Sequence, residues 1–139
     1  MERKLVVSSP LAPPAIGPYS PGIRVGNLIF VSGQLPIDMA TKKLAGADIA
    51  SQTRQALKNI QSLIEATGAA LSHIVKTTVY LKNLEDFKGM NDVYREFFPL
   101  DPPARACVEV SRLPYNSLIE IEAIVYHERP ATALETPGL

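Results

Sequence analysis

Residues 48–67 form one long segment with helical periodicity, and its apolar side chains fall on a single face. Asp48 is a suitable N-cap and Gly68 follows the last turn, so the pattern predicts a helix within these bounds. The apolar residues recur at helical spacing: Ala50, Leu57, Ile60, Leu63 and Ile64. A helix that is apolar on one face only must pack against another layer, which excludes an isolated helix and favours a layered domain.

The rest of the chain is dominated by short β-rich segments. Six are predicted as strands: residues 4–7, 19–25, 27–34, 73–81, 104–110 and 118–126. Gly26-Asn27 predicts a tight turn that pairs the second strand with the third. Residues 85–98 predict a second helix, which Pro99 ends. Its apolar stripe consists of Phe87, Met90, Tyr94, Phe97 and Phe98.

The order β, β, β, α, β, α, β, β predicts an α+β fold. The economical arrangement is a two-layer sandwich in which a mixed sheet carries both helices on one face. The sequence shows no internal repeat and no linker, so residues 1–128 are expected to form a single domain. Residues 129–139 are expected to form a loose C-terminal tail.

The strand at 27–34 predicts that copies of the chain associate. Its apolar residues alternate over both faces, with Ile29 and Val31 on one side and Leu28 and Phe30 on the other. Since the two helices cover one sheet face, the other face would expose apolar side chains to water in a monomer. Packing of that face against other copies is therefore expected.

The amino-acid composition of the chain limits the classes of function that it can have. The chain has 14 basic and 14 acidic residues, so its zero net charge gives no support to nucleic-acid binding. Cys107 is the only cysteine, which excludes an intrachain disulfide and suits a reducing compartment. His73 and His127 are the only histidines and no metal-ligand spacing occurs, so no metal site is expected. With no signal-peptide pattern and no apolar run of spanning length, we expect a soluble cytoplasmic protein.

Arg105 is the first candidate for chemistry. It lies mid-strand between Ala104 and Ala106, and alternation puts it on the same face as Cys107 and Glu109. A permanently charged, planar guanidinium there can bind a carboxylate through two parallel hydrogen bonds. Spacing alone somewhat favours the alternative, an edge-strand arginine exposed to solvent or paired with Glu109 or Glu120.

Glu120 and Glu122 share one face of the last strand. If that strand pairs with 104–110 as a hairpin, the register decides whether the two glutamates share a sheet face with Arg105 and Cys107. They do when the numbers of two directly paired residues have an odd sum, and they do not when the sum is even. The loop length leaves this register open. A carboxylate near a substrate can activate water as a general base. The simpler interpretation is an ordinary amphipathic strand.

Four further residues have two interpretations each, and a fifth, Asn91, has one. Cys107 is either a thiolate activated by Arg105 or, as favoured, a small buried apolar residue, because no histidine is placed to serve as its base. Tyr19 either faces a pocket or packs across its loop. Ser32 and Gly33 either offer a hydroxyl and a backbone N–H to an anion or simply end the strand. Asn91 lies beside the second helix's apolar stripe, where it can be half-buried and hydrogen-bonded.

At these residues the chain resembles the Rid family of reactive intermediate deaminases, also called the YjgF or L-PSP endoribonuclease family. The most specific segments are PARACVEVSRLP at 103–114 and IEIEA at 119–123. Further similar segments are AIGPYS at 15–20, VSGQLP at 31–36 and IVKTTVYL at 74–81. The resemblance extends from about residue 5 to residue 126.

The resemblance implies a chorismate-mutase-like fold. It also implies a homotrimer whose sheets form a central barrel, with three sites in clefts between subunits. The deaminating subgroup carries an arginine at the position of Arg105, and the chain also keeps that subgroup's Tyr19, Ser32, Asn91, Cys107 and Glu120. The implied reaction is the hydrolysis of 2-iminopropanoate, 2-iminobutanoate and their enamine tautomers to 2-oxo acids and ammonia, without a cofactor.

The resemblance also implies residue roles. Arg105 would bind the substrate carboxylate with help from the Gly33 N–H, and Glu120 would position a water and accept its proton. Tyr19 and Ser32 would close the pocket, and Cys107 would line it. Two alternatives stay open: an endoribonuclease or translation inhibitor, and a non-catalytic trimer that binds 2-oxo acids or acts like a chaperone.

Overall fold

The computed structural model describes residues 3–129, and six of their strands form one sheet in the order β1-β2-β3-β8-β6-β7. Neighbouring strands run antiparallel except β6 and β7, which are parallel, so the sheet is mixed. The strands are β1 (Lys4–Val7), β2 (Gly22–Val25), β3 (Leu28–Gln34), β6 (Ile74–Leu81), β7 (Ala104–Glu109) and β8 (Ile119–Tyr126). A small separate hairpin contains β4 (Ile37–Asp38) and β5 (Lys43–Leu44). The helices are α1 (Ile49–Glu65) and α2 (Phe87–Phe97).

Helix α1 supplies much of the core. The Asp48 side chain accepts a hydrogen bond from the Ser51 N–H at 3.1 Å, and Gly68 has the positive φ of 92° that favours glycine after a helix. The residues of its apolar face are fully buried against the sheet: Leu57, Ile60, Leu63 and Ile64. The predicted helix and its caps are confirmed.

Helix α2 packs on the same sheet face as α1. Its Tyr94 hydroxyl lies 2.7 Å from Oγ1 of Thr77, and Thr77 pairs with Ala123 in the layer that α1 covers. The two-layer α+β sandwich is therefore confirmed.

The opposite sheet face carries the exposed apolar surface that the sequence predicted. Ile29 and Val31 are 0% and 4% exposed on the helix side, whereas Leu28 and Phe30 are 39% and 43% exposed on the other. The exposed side chains continue across neighbouring strands through Val6, Val25, Val75, Val108 and Tyr126. We call this surface the open face.

The hairpin considered between residues 104–110 and 118–126 is wrong. Strand β6 lies between β7 and β8, and both strands pair with it. Because α2 connects β6 to β7, the two form a β-α-β unit and must run parallel. The loop after β7 then leads to the other side of β6, where β8 pairs.

Other differences are small. The second strand begins at Gly22 rather than residue 19, and Gly26, with φ of 57°, forms the predicted two-residue turn. Residues 84–86 form a 3-10 turn before α2, and the β4–β5 hairpin was not predicted. Residues 130–139 of the predicted tail lie outside the described part of the chain. Within residues 3–129, no helix is long and apolar enough to cross a membrane.

Candidate functional site

The strand registers separate the two main candidates. Directly paired residues on neighbouring strands point to the same side of a sheet, and alternate residues point to opposite sides. Thr77 of β6 pairs with Arg105, which puts Arg105 on the helix side. Tyr80 of β6 pairs with Glu120, which puts Glu120 on the open face. A single chain therefore cannot bring Arg105 and Glu120 together.

Arg105 is half-buried between β7 and α2. Its Nη1 donates a hydrogen bond to Oδ1 of Asn91 at 2.8 Å. The guanidinium carbon lies 4.8 Å from the ring centroid of Tyr94 and 5.5 Å from that of Phe87. The two rings and the amide fix the guanidinium, since aromatic faces attract a cation at this range.

No carboxylate neutralises this cation within residues 3–129. The ion pairs there join Arg54 to Glu96 and Lys88 to Asp92. Glu109, one of the partners considered from the sequence, instead accepts a hydrogen bond from the Leu84 N–H at 3.0 Å. The interpretation of Arg105 as one half of an internal ion pair is therefore wrong.

A cleft of about 520 Å³ opens beside Arg105, and we call it the arginine cleft. It is lined by Asn91, Tyr94, Arg95, Phe98, Pro102, Pro103 and Arg105. A permanent cation in a half-buried, partly aromatic cleft is suited to binding a small organic anion.

Cys107 shares the sheet face of Arg105, two residues along β7. Burial raises the pKa of its thiol, and the positive charge of Arg105 lowers that pKa by less. A raised pKa disfavours the thiolate, which is the nucleophilic form. This agrees with the favoured interpretation of Cys107 as a small apolar residue, and its side chain packs against the hydrophobic core.

The second group of candidates surrounds a β-bulge in β3. Val31 pairs with Ala123 and Gln34 with Ile121, so Ser32 and Gly33 together stand opposite Glu122 alone. Bulges re-aim side chains and often lie beside active sites. Here the Ser32 hydroxyl donates a hydrogen bond to the Ser20 carbonyl at 2.6 Å, which ties the bulge to the preceding loop.

Gly33 lies directly against Glu120. A β-carbon at position 33 would lie 2.8 Å from Cδ of Glu120, closer than any real β-carbon contact. Only glycine leaves space for the carboxyl group at this position. The backbone of Gly33 and the carboxyl group of Glu120 consequently form one compact polar unit.

This unit faces a second cleft of about 520 Å³, the glutamate cleft. It is lined by Ile16, Tyr19, Ser32, Gly33, Leu35, Tyr80, Pro114, Glu120 and Glu122. Burial raises the pKa of Glu120, and the neighbouring charge of Glu122 raises it further. Burial and Glu122 also raise the pKa of the Tyr80 hydroxyl. A carboxylate with a raised pKa is a better proton acceptor than an ordinary glutamate.

The predicted site residues thus form two groups. Asn91, Arg105 and Cys107 lie on the helix side, and Tyr19, Ser32, Gly33 and Glu120 line the glutamate cleft. Sequence reasoning missed Tyr80 in the glutamate cleft, although the alternation along residues 73–81 puts Tyr80 on the same face as Thr78. It also placed Phe87 and Tyr94 in the apolar stripe of the second helix and did not predict that both rings contact Arg105. No cluster of three or more metal-ligating side chains occurs within residues 3–129.

Comparison with solved structures places this fold among known proteins. The structure of Escherichia coli TdcF with bound serine superposes with a TM-score of 0.85 at 38% identity, covering 89% of this chain and 99% of that one. The two-layer sandwich is thus a fold of the YjgF/Rid type.

Residues 9–127 match the family described as endoribonuclease L-PSP, and the chain belongs to this family. A RutC family protein of Pyrococcus horikoshii is 52% identical over 125 residues, which cover 90% of this chain and 99% of that protein. The 2-iminobutanoate/2-iminopropanoate deaminase of Escherichia coli K12 is 49% identical over 116 residues, covering 81% and 90%. The resemblance identified from the sequence is therefore confirmed.

Proposed function

We propose that this protein hydrolyses small 2-imino acids, together with their enamine tautomers, to 2-oxo acids and ammonia. The observation that carries the proposal is the half-buried guanidinium of Arg105, which Asn91 fixes at 2.8 Å and which has no carboxylate partner within residues 3–129. The proposed substrate is an anion, and its carboxylate supplies the missing charge through paired hydrogen bonds. The named deaminases among the relatives support the same reaction.

Glu120 acts as the general base in this proposal. The water oxygen bonds to the imine carbon as the C=N π bond breaks, and the proton that Glu120 accepts from that water passes on to the nitrogen. The resulting carbinolamine collapses when its hydroxyl proton moves through Glu120 to the nitrogen, which leaves as ammonia, so the C–N bond breaks and a C=O bond remains. Water is the only co-reactant, and the reaction involves no change of oxidation state.

The proposed site joins two copies of the chain, because Arg105 and Glu120 lie on opposite sides of the sheet. The arginine cleft of one copy faces the glutamate cleft of the next, and the Gly33 backbone, Ser32 and Tyr19 complete the enclosure. We propose a homotrimer whose open faces pack together, which removes their exposed apolar side chains from water. The cytoplasmic location stays a prediction.

A single assay tests this function. 2-Aminoacrylate is generated in situ from serine by a pyridoxal-phosphate dehydratase, and release of the ketoacid is followed with wild type, Arg105→Ala and Arg54→Ala. Arg54 is a suitable control, because it is a partly exposed arginine whose ion pair with Glu96 lies on the helices. We expect wild type and Arg54→Ala to accelerate release and Arg105→Ala to match buffer.

Two results would contradict the proposal. If wild type releases ketoacid no faster than buffer does, the proposed deaminase function is refuted. RNA cleavage by a preparation of Arg105→Ala at the wild-type rate, without any deaminase activity in wild type, would favour a nuclease instead.

A further inference from the structure

A pocket of about 280 Å³ lies at the β1 edge of the sheet, where α1 ends, and we call it the edge pocket. Its wall consists of residues 5–8, of Ala66 and Thr67 directly after α1, and of two arginines, Arg24 and Arg129. None of these residues lines the arginine cleft or the glutamate cleft. The proposed reaction therefore leaves the edge pocket without a role.

The charges around the edge pocket have one sign. Arg24 and Arg129 are permanent cations, and no acidic side chain of residues 3–129 lines the pocket with them. The acidic residues nearest in sequence, Glu65 and Glu128, are exposed and lie outside the wall. Two guanidinium groups at one small cavity make it electropositive, and an anion between them is attracted by both.

Arg24 is the cation for which a missing counter-charge is most costly. It pairs with Leu5 and with Ile29 on the helix side of the sheet and is 4% exposed. The acceptors around its guanidinium are neutral: the Gly26 carbonyl, 3.0 Å from Nε, and the carbonyl and Nδ1 of His127. No carboxylate in the described part of the chain forms an ion pair with it. A buried charge costs free energy when no opposite charge accompanies it.

Arg129 adds a second positive charge near the first. Burial lowers the pKa of Arg24, and the charge of Arg129 lowers it further, which shows that the two guanidinium groups repel each other. An arginine has five N–H donors, and the three acceptors around Arg24 leave at least one of them unused. An oxyanion with several acceptor atoms can bond to both arginines and remove this repulsion.

The end of α1 opposes an anion at this place, but only weakly. A helix C-terminus carries about half of a negative elementary charge, whereas the two arginines carry two positive charges. The last turn also satisfies its own carbonyls. The Ile64 carbonyl accepts hydrogen bonds from the Thr67 N–H at 3.0 Å and the Ala69 N–H at 3.1 Å, and the Glu65 carbonyl accepts from the Gly68 N–H at 3.1 Å. The arginines consequently dominate the charge of the pocket.

We infer that the edge pocket binds a phosphate dianion, supplied either as inorganic phosphate or as the phosphate group of a small monoester. Two guanidinium groups match the charge and the acceptor geometry of a phosphate better than those of a monocarboxylate. The volume of about 280 Å³ is just below the range of about 300–1,000 Å³ that is typical of drug-sized ligands, so it suits a small ligand. The inference does not depend on the proposed function, because the edge pocket shares no residue with either cleft.

Isothermal titration calorimetry of the full chain tests this site. Inorganic phosphate and glycerol 3-phosphate are titrated separately at millimolar concentrations, with the ionic strength held constant by chloride. We expect saturable binding, and the titrant that binds more tightly identifies the source of the phosphate group. Arg24→Gln and Arg129→Gln should each weaken binding at least about tenfold, because each removes charge-assisted hydrogen bonds. Arg54→Gln, the same change at an arginine outside the pocket, should bind as wild type does.

A further variant separates the edge pocket from the arginine cleft. Arg105→Ala lacks the proposed carboxylate site and should keep the wild-type affinity for phosphate. In this variant phosphate should bind at least about tenfold more tightly than acetate, which carries a single charge. Loss of phosphate binding in Arg105→Ala would assign the anion to the arginine cleft and overturn the inference.

Two other results would also overturn it. One is the absence of saturable binding of both phosphates to wild type. The other is wild-type affinity in Arg129→Gln, which remains informative if Arg24→Gln fails to fold. Arg129→Gln should also keep the wild-type deaminase rate. A wild type that binds phosphate at the edge pocket but has no deaminase activity would refute the proposed function alone.

Discussion

Arg24 is the one charged side chain that is buried among residues 3–129, at 4% exposure. Its Nη2 donates a hydrogen bond to the His127 carbonyl at 2.6 Å, and Nη1 and Nη2 both lie 3.4 Å from Nδ1 of His127. An arginine can only donate, so this contact requires an unprotonated Nδ1 on the imidazole. The His73 ring packs edge-on at 4.8 Å from the His127 ring. The neutral form of His127 therefore fits the folded state best.

This arrangement predicts a loss of stability in mild acid. Burial lowers the pKa of His127, and the charges of Arg24 and His73 lower it further. A depressed histidine pKa contributes stability that is present above the ordinary value of about 6.5 and is lost as pH falls through the folded value. We expect the Tm of wild type to fall more steeply between pH 7 and pH 5 than the Tm of His127→Gln. Equal slopes in thermal melts of the two proteins would contradict this.

Single residues also show what a sequence can and cannot specify about the site. The flanking alanines of Arg105 drew attention to it, and the Ser32-Gly33 pair was recognisable at a strand end. The contact between Gly33 and Glu120 was not predictable, because it depends on a bulge that pairs two residues with one. The same holds for Asn91, whose bond to Arg105 depends on how α2 is placed over β7.

At the scale of elements, helix α1 does more than cover the sheet. Gln52 and Asn59 lie outside the apolar stripe predicted from its periodicity, yet both are buried along with Thr53. They are buried because segments that the sequence presented only as loops pack over this side. Asn59 bonds to the Leu35 and Ile37 carbonyls, and Oε1 of Gln52 accepts from the Leu118 N–H at 2.8 Å. The periodicity of a helix cannot show which other segments pack over it, because those segments are distant in sequence.

Removing the Asn59 amide should destabilise the fold. Asn59→Leu removes the side-chain donor from the Leu35 and Ile37 carbonyls, of which Leu35 keeps the Ile37 N–H at 2.8 Å, and we expect it to lower the free energy of unfolding by about 1–3 kcal/mol. Thr53→Val is the matched control, because the Thr53 hydroxyl is buried without a hydrogen-bond partner within residues 3–129. That control should be as stable as wild type or more so. Urea denaturation measures both, and an Asn59→Leu variant with the wild-type midpoint would refute the assignment.

The strands show a similar division. Their positions followed from alternation and turn residues, and all six predicted strands occur, with the start of the second moved from residue 19 to Gly22 as the largest change. The order in which the strands pair in the sheet did not follow from these local patterns. A hairpin between residues 104–110 and 118–126 satisfies local rules, but the α2 crossover makes β7 pair with β6 and leaves β8 on the far side. Topology is decided by such long-range connections.

At the scale of the whole molecule, the proposed site can exist only where two copies meet. This makes a mixing experiment decisive. Arg105→Ala and Glu120→Gln should each be inactive alone. When the two are unfolded together and refolded, a contact that joins an intact Arg105 to an intact Glu120 should form in about a quarter of the randomly assembled interfaces. We therefore expect ketoacid release to recover to about a quarter of the wild-type rate.

The control for mixing is a pair of variants that cannot supply each other's missing group. Arg105→Ala refolded with Arg105→Lys leaves every interface without the arginine and should stay near the activity of the better parent. Failure of the first mixture, when size-exclusion chromatography shows intact oligomers in it, would mean that no active contact joins Arg105 of one copy to Glu120 of another, and would overturn the proposed site.

The placement of Arg105 and Glu120 on opposite sides of one sheet also has a genetic consequence. In a cell that expresses an intact and a damaged version of this chain, a copy that has lost only Arg105 still offers its Glu120 to an intact neighbour. Such a faulty allele therefore leaves the output of the healthy one unchanged, whereas two alleles with different faults, each inactive alone, partly restore each other.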